Sequence, residues 1–137
     1  MDSGYLLMNI SKQLKYDLNQ ALIQKGVTVQ QWAVIQQINQ RKETTVAELS
    51  FQLGMDKPTV SGIVKRLEGK LLLKKQPNPT DQRSSLLLLT EAGEAVLKEC
   101  QIISEEILEK SLAVLSKDEQ ETLNHLLTKI NHEKRKR

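Results

Sequence analysis

The sequence is poor in aromatic residues and in cysteine, and it has no long apolar run. It contains one Trp, two Tyr and one Phe among 137 residues, so its core must be built mainly from Leu, Ile and Val. No apolar stretch approaches the roughly 20 residues that cross a bilayer. Residues 1–5 also lack the basic region and apolar run of a signal peptide. The single cysteine, Cys100, cannot form an internal disulfide, so we expect a protein of the reducing cytoplasm, without membrane association.

The sequence also lacks the signatures of an enzyme. It has no glycine-rich phosphate loop, no nucleophile elbow, and no cluster of histidine and carboxylate residues with metal-ligand spacing. His125 and His132 are seven residues apart, which separates them by about 10 Å along a helix, too far to share one zinc ion. We therefore expect no catalytic activity, no cofactor and no metal, and we interpret the two histidines as a solvent-facing pair.

Charge is unevenly distributed along the chain. The formal net charge is only +3. Residues 56–83 carry seven Lys or Arg against three Asp or Glu, whereas residues 91–124 carry nine acidic residues against three basic ones. A local basic patch is typical of a phosphate-binding surface. From charge alone, a solvated basic face without a partner is an equally good interpretation.

Apolar residues recur at helical spacing through most of the chain. They predict a first helix over about 5–24, a second over about 28–41, a third over about 46–53 and a fourth that begins after Asp56. A hydroxyl residue followed three positions later by Gln or Glu predicts three helix starts. These pairs are Thr28 with Gln31, Thr45 with Glu48, and Ser116 with Glu119.

Two short runs after the fourth helix flank a polar stretch. Residues 71–76 and 84–89 surround the turn-forming residues 77–83, and this pattern predicts a β-hairpin with a long loop. The four leucines 86–89 would equally suit a buried helix, but Thr90 is a good N-cap and separates them from a helix over about 91–115. A last helix follows Ser116. The fold class is therefore mainly α with a small β-hairpin.

The third and fourth helices form a candidate helix-turn-helix, joined by a turn that contains Gly54. If the apolar residues of the fourth helix face inward, Pro58, Gly62 and Lys65 lie on the outer face. Small residues there would let the helix approach the floor of a DNA groove, while flanking hydroxyl and basic groups reach bases and phosphates. An ordinary surface helix has no reason to carry Gly62, which costs about 1 kcal/mol relative to Ala.

The region 45–93 resembles the DNA-binding region of the MarR family of winged helix-turn-helix regulators. Its sequence is TVAELSFQLGMDKPTVSGIVKRLEGKLLLKKQPNPTDQRSSLLLLTEAG, and its most diagnostic part is Asp81-Gln82-Arg83 followed by Leu89-Thr90 and Gly93. The segment VTVQQWAVIQQI at 27–38 is similar to the second helix of that family. The resemblance extends over the whole chain in element order and in length.

The resemblance implies a bacterial transcriptional regulator, a repressor that a small molecule relieves or modulates. It implies a homodimer whose first and last helices intertwine and whose two lobes bind a pseudo-palindromic double-stranded operator. Residues 1–137 would form one domain, with the winged lobe at about 28–90 and dimerisation helices at about 1–25 and 91–137. Asp81 would help to hold the wing, and Gly62 departs from the bulkier residue of many members. Together with the outer-face analysis, the resemblance identifies as candidate DNA-binding residues Lys57, Pro58, Thr59, Ser61, Gly62, Lys65, Arg66, Lys75, Asp81 and Arg83.

The resemblance also implies an effector site. Small, often aromatic or phenolic ligands bind between the dimer region and the winged lobes in this family, and the corresponding lining here is Tyr16, Trp32 and the facing part of the fifth helix. Redox-sensing relatives carry their cysteine in the first helix, which here has none. Because Glu99 would raise the pKa of the neighbouring Cys100, we interpret Cys100 as a buried structural residue.

Two further alternatives remain at this point. The basic residues 134–137 suit the end of a helix and could add non-specific DNA affinity, although a frayed, solvated tail is the simpler interpretation. Winged helices also serve as protein–protein interaction modules that do not bind DNA. Such a surface should expose large apolar or aromatic residues, and the outer face around Gly62 and Arg83 has none.

Overall fold

A computed structural model describes residues 1–135, and it confirms the predicted order of four helices, a hairpin and two helices. The basic run 134–137 lies outside the residues whose side chains are described. The elements are α1 (Ser3–Ile23), α2 (Val29–Arg41), α3 (Val46–Leu53), α4 (Lys57–Gly69), β1 (Leu73–Pro77), β2 (Ser85–Leu89), α5 (Glu91–Leu112) and α6 (Lys117–Arg135). None of the helices in the described part is both long enough and apolar enough to cross a membrane.

The helix starts follow from side chains that cap the first turn. At α2, Thr28 Oγ1 accepts the backbone N–H of Gln31, and the Gln31 side chain accepts that of Thr28, which is the predicted capping box. The Ser116 and Glu119 pair makes both bonds at α6. At α3 only half of the box forms: Thr45 caps the backbone of Glu48. The Glu48 carboxylate accepts the Thr44 hydroxyl instead, at 2.6 Å.

Some helix ends differ from the prediction. α5 stops at Leu112 rather than near residue 115, and Gln120 Nε2 donates to the carbonyl oxygens of both Leu112 and Leu115. α4 ends at Gly69, and the left-handed residue after it is Leu71, with φ of 63°. At the end of α3, Gly54 takes the left-handed conformation itself, with φ of 65°.

β1 and β2 pair antiparallel, from Leu73 opposite Leu89 to Pro77 opposite Ser85. Thr44, just before α3, adds a bridge to Leu87, whose N–H donates to the Thr44 carbonyl at 2.8 Å. Leu87 is fully buried, while the other leucines of β2 are half-buried. The leucine run is therefore a strand against the core, as predicted, and not a helix.

One aliphatic core lies within the compact unit 1–104. α2 packs one face into this core, since Trp32, Ile35 and Ile38 are buried. So are the four apolar residues of α4, which are Val60, Ile63, Val64 and Leu67. The N-terminal half of α1 takes no part in this core, since Leu7 and Ile10 are half-exposed.

Residues 105–137 form a second compact unit. It contains the end of α5 and the whole of α6, joined by the turn at residues 113–116. Apolar side chains of α6 stay half-exposed, among them Leu126, Leu127 and Ile130.

Candidate nucleic-acid interface

The start of α4 is fixed by Asp56. Its Oδ1 accepts the backbone N–H of Thr59 at 2.7 Å, and the bonds from Thr59 hold the pKa of this exposed carboxyl below its usual range. Pro58 lies in the first turn, where a helix needs no N–H donor. The first turn of α4 is therefore ordered before any ligand binds.

The outer face of α4 is exposed to solvent. Gly62 is half-buried, and a Cβ built on it meets nothing within 4 Å. None of the basic residues of α4 forms an ion pair within the described residues. The structure thus brings together on one open face the exposed side chains Lys57, Pro58, Thr59, Ser61, Lys65 and Arg66.

The loop between β1 and β2, which we call the wing loop (residues 78–84), is held by its own side chains. Asn78 Oδ1 accepts the N–H of Thr80 at 3.1 Å and its hydroxyl at 2.9 Å, and Asn78 Nδ2 donates to Ser84 Oγ at 2.9 Å. The N–H of Asp81 donates to the Asn78 carbonyl, and that of Ser84 donates to the Asp81 carbonyl. These bonds hold the loop in its conformation.

Arg83 extends from the wing loop into solvent. Its backbone N–H donates to Asp81 Oδ1 at 2.9 Å, whereas its Nε lies 3.5 Å from the same oxygen. The Arg83 side chain is 93% exposed. The Asp81 carboxylate therefore orders the turn, and the outer nitrogens of the guanidinium are free for a ligand.

Lys75, a candidate DNA-binding residue, already forms an ion pair within the chain. Its Nζ lies 3.6 Å from Glu68 Oε1, so the ammonium links β1 to the last turn of α4. Lys74 lies on the opposite face of the strand and has no ion pair among the described residues. The wing and α4 are thus joined by one partly exposed ion pair.

Several residues that position the site were not identified from the sequence. Asn78, Ser84 and Glu68 act through the contacts described above, and spacing alone gives no signal for them. Thr90 and Gly93 belong to the motif that follows the wing in the sequence, and both make close contacts with the residues between α4 and β1. Thr90 Oγ1 donates to the Leu71 carbonyl at 2.7 Å, and a Cβ on Gly93 would lie 2.0 Å from the carbonyl oxygen of Leu72.

The two candidate effector residues lie in different environments. Tyr16 is 65% exposed on α1, while Trp32 is buried in the core. Trp32 Nε1 is buried and has no hydrogen-bond partner within the described residues. Two surface depressions, beside Met8 and beside Asn39, are lined by neither side chain.

Cys100 is completely buried. Burial raises the pKa of its thiol, the charge of Glu99 raises it further, and Lys25 acts in the opposite direction. His125 and His132 are both exposed. Within residues 1–135, no group of three or more His, Cys, Asp or Glu side chains could hold a metal ion.

The chain is similar to known proteins over nearly its whole length. The profile of the MarR family matches residues 27–85. The HTH-type transcriptional regulator MgrA of Staphylococcus aureus is 30% identical over 129 residues, which cover 93% of this chain and 86% of the relative. A mutant MarR from E. coli, solved in complex with operator DNA, superposes with a TM-score of 0.82 at 29% identity, over 93% of this chain and 91% of that one. A MepR–DNA complex from S. aureus gives 0.83 at 26% identity, over 97% and 98%.

Proposed function

This chain belongs to the MarR family and is a DNA-binding transcriptional regulator, and we propose that it is a homodimeric repressor of a pseudo-palindromic operator. MarR and MepR, two similar proteins, have been solved with DNA. The observation that carries the proposal is the outer face of α4, which is exposed, basic and open at Gly62. An enzymatic role is not supported, because the matching relatives are regulators.

We assign α4 to the major groove of the operator. Gly62 lies at the centre of the face, so the backbone of α4 can approach base edges closely. Lys57, Lys65 and Arg66 flank it and would contact phosphates. The remaining contacts in this groove would come from Pro58, Thr59 and Ser61.

We assign the wing loop to the adjacent minor groove. The negative potential of a narrow minor groove attracts an inserted guanidinium, and Arg83 is exposed and ordered at its backbone by Asp81. Arginine suits this position because it is always charged and more weakly hydrated than lysine. Lys75 would reach a phosphate by leaving Glu68.

We propose one MarR-like domain over residues 1–137, in which residues at about 28–90 form the DNA-binding lobe and the terminal helices at about 1–25 and 91–137 form the dimer. The half-exposed Leu7 and Ile10 of α1, and Leu126 and Ile130 of α6, supply apolar surface that a second chain would cover. A stable monomer in sedimentation equilibrium at micromolar concentration would contradict this assignment. A protein of this kind acts on the chromosome, so we place it in the cytoplasm.

We further propose that a small aromatic or phenolic molecule modulates operator binding near Tyr16 and Trp32. The support is the buried Nε1 donor of Trp32, which has no hydrogen-bond partner within residues 1–135 and could bind an acceptor group of a ligand. Trp32 is the only tryptophan, so its fluorescence reports on this site alone. Candidate phenols should change that fluorescence and weaken operator affinity over the same concentration range, since a ligand shifts binding only by its differential affinity for two states.

The decisive experiment is operator binding by fluorescence anisotropy, with the DNA upstream of the protein's own operon and an unrelated duplex of equal length. We expect a preference of about 10³-fold or more at physiological salt. A Lys65→Ala variant should weaken binding to both duplexes. A Lys117→Ala variant, which is changed outside the proposed DNA interface, should bind DNA as the parent does. Equal affinity of the parent for both duplexes would instead favour an interaction module that does not read DNA.

A further inference from the structure

The side chain of Lys70 connects the end of α4 to the turn between α1 and α2. Its Nζ donates to the carbonyl oxygen of Gly26 at 2.5 Å and to Oε1 of Gln31 at 3.0 Å. These acceptors are 44 and 39 residues away along the chain, so both bonds join separate elements. The same Gln31 oxygen also accepts the N–H of Thr28 at 3.2 Å, so the α2 cap and the Lys70 ammonium share one acceptor.

The turn that Lys70 contacts is also held from other sides. Lys25 Nζ lies 3.9 Å from Glu99 Oε2 of α5, and Asn19 Oδ1 of α1 accepts the N–H of Val29 at 3.1 Å. Gly26 has φ of 83°, which other residues rarely adopt, so the direction of its carbonyl is set by the turn. The turn is therefore a junction at which α1, α2, α4 and α5 meet.

We infer that Lys70 is a positioning residue for operator binding, which fixes the direction of α4 relative to α1. This inference rests on the proposed function, in which α1 belongs to the dimer region and α4 enters the groove. The two α4 helices of a dimer must reach half-sites about one helical turn apart. The angle between α1 and α4 contributes to that distance, and charge-assisted hydrogen bonds such as those of Lys70 resist a change in it.

The competing explanation is that Lys70 simply binds a phosphate, since it follows the basic α4. The two explanations differ in their dependence on salt. A lysine that neutralises a phosphate releases counterions and adds about 0.9 to the slope of log affinity against log salt concentration. A positioning lysine adds nothing to that slope, because its ammonium stays bound to Gly26 and Gln31.

The test uses the full-length protein with the substitutions Lys70→Met and Lys70→Arg, and with Lys98→Met as the matched control. Lys98 is an exposed lysine of α5 with no recorded hydrogen bond or ion pair in the described part of the chain. Affinity is measured by anisotropy over a range of salt, for the operator and for versions with one base pair added or removed between half-sites. Thermal unfolding of each variant checks that the lobe is folded.

We expect Lys70→Met to bind the natural operator about three- to tenfold more weakly, with an unchanged salt slope. Its preference for the natural spacing should also shrink, because α4 is held less firmly. Lys70→Arg should keep most of that preference, since it retains the charge and the donors, and Lys98→Met should match the parent. Hydrogen exchange of the free protein should show faster exchange at the Thr28 amide in Lys70→Met.

Two results would overturn the inference. A salt slope that falls by about one per subunit in Lys70→Met would make Lys70 a phosphate contact. Parent-like spacing preference, or parent-like exchange at Thr28, would show that the bonds of Lys70 do not hold α4. A parent protein without preference for any operator refutes the proposed function instead, and the exchange result still decides whether Lys70 holds the turn.

Discussion

Asp81 accepts the backbone N–H of Arg83 at 2.9 Å, while the Arg83 Nε stands 3.5 Å from the same carboxylate oxygen. The shorter contact is the one that shapes the loop. The longer one joins two groups in contact with solvent, and exposed pairs of this kind contribute about 0–1 kcal/mol. The acidic residue therefore holds the backbone of the wing loop while the arginine side chain keeps its charge available.

The substitution Arg83→Ala should leave thermal stability within about 0.5 kcal/mol of the parent, because the side chain is almost fully exposed. Operator binding should weaken by about 1–3 kcal/mol, and the salt slope should fall by about one per subunit. Asp81→Ala should also weaken binding, through a looser loop, with a smaller change in slope. If Arg83→Ala binds the operator at moderate salt as tightly as the parent does, the wing loop does not contribute to binding and α4 alone contacts the operator.

Gly62 and Gly69 provide a matched pair on α4. Neither has a left-handed backbone, and a Cβ at either meets nothing within 4 Å. Alanine at either position should therefore stabilise the protein, by up to about 1 kcal/mol, measured by chemical unfolding. Only Gly62→Ala should weaken operator binding, because Gly62 lies among the candidate DNA-binding residues, whereas Gly69 lies on the same face but about 10 Å further along the helix, at its end. If both variants bind as the parent does, α4 does not need the open space at Gly62.

Leu71 has φ of 63° and an exposed side chain. A left-handed backbone costs a residue with a Cβ about 1–2 kcal/mol, and glycine removes that cost but adds freedom to the unfolded chain. We expect Leu71→Gly to raise the free energy of unfolding by about 0.5–1 kcal/mol. Leu71→Ala is the control, since it removes the exposed side chain and keeps the Cβ, and it should bring no gain. If Leu71→Gly and Leu71→Ala change the free energy of unfolding equally, the change comes from the loss of the side chain and not from the backbone.

The raised pKa of the Cys100 thiol makes stability depend on alkaline pH. In the unfolded chain the thiol has its ordinary pKa, whereas burial and Glu99 raise the pKa in the folded protein. The folded state therefore holds its proton more tightly, and this contribution is complete below the ordinary thiol pKa and is lost as pH rises through the higher folded value.

This titration can be isolated by comparison with Cys100→Ala. Between pH 7 and pH 10 the parent should lose more stability than the variant, as measured by urea unfolding, because only the parent has a thiol to ionise. The thiol of the folded parent should also react slowly with iodoacetamide at pH 8. Rapid alkylation of the folded protein at that pH would show a reactive thiolate and contradict the structural role of Cys100.

The sequence predicts the elements of this fold well because their signals are local. The capping pairs Thr28 with Gln31 and Ser116 with Glu119 act over three residues, and the inner face of α4 repeats with the helical period. The left-handed residue at the end of α4 was not predictable in this way, because Leu71 takes a conformation that usually indicates glycine.

The parts of the candidate site that depend on distant contacts could not be predicted. The ion pair between Lys75 and Glu68 and the bonds of Lys70 join residues from different elements, and no spacing in the sequence encodes them. The residues of the outer face of α4 could be predicted from the sequence, because the inner and outer positions of a helix recur every 3.6 residues. Only the structure shows whether a basic side chain already forms an ion pair or hydrogen bond within the chain.

The close approach at Gly93 has a consequence for how the lobe can move. The first turn of α5 touches the backbone of Leu72 at a distance that leaves no room for a Cβ, and Thr90 bonds to the carbonyls of both Leu71 and Leu72. No hinge can operate at this joint without breaking those bonds. The first turn of α5 must therefore travel with the winged lobe as a rigid body. On the α5 side, any flexing that adjusts the separation of two lobes must then arise beyond Gly93 in the chain. Substitutions that enlarge Gly93 should disturb DNA recognition without altering a single contacting residue.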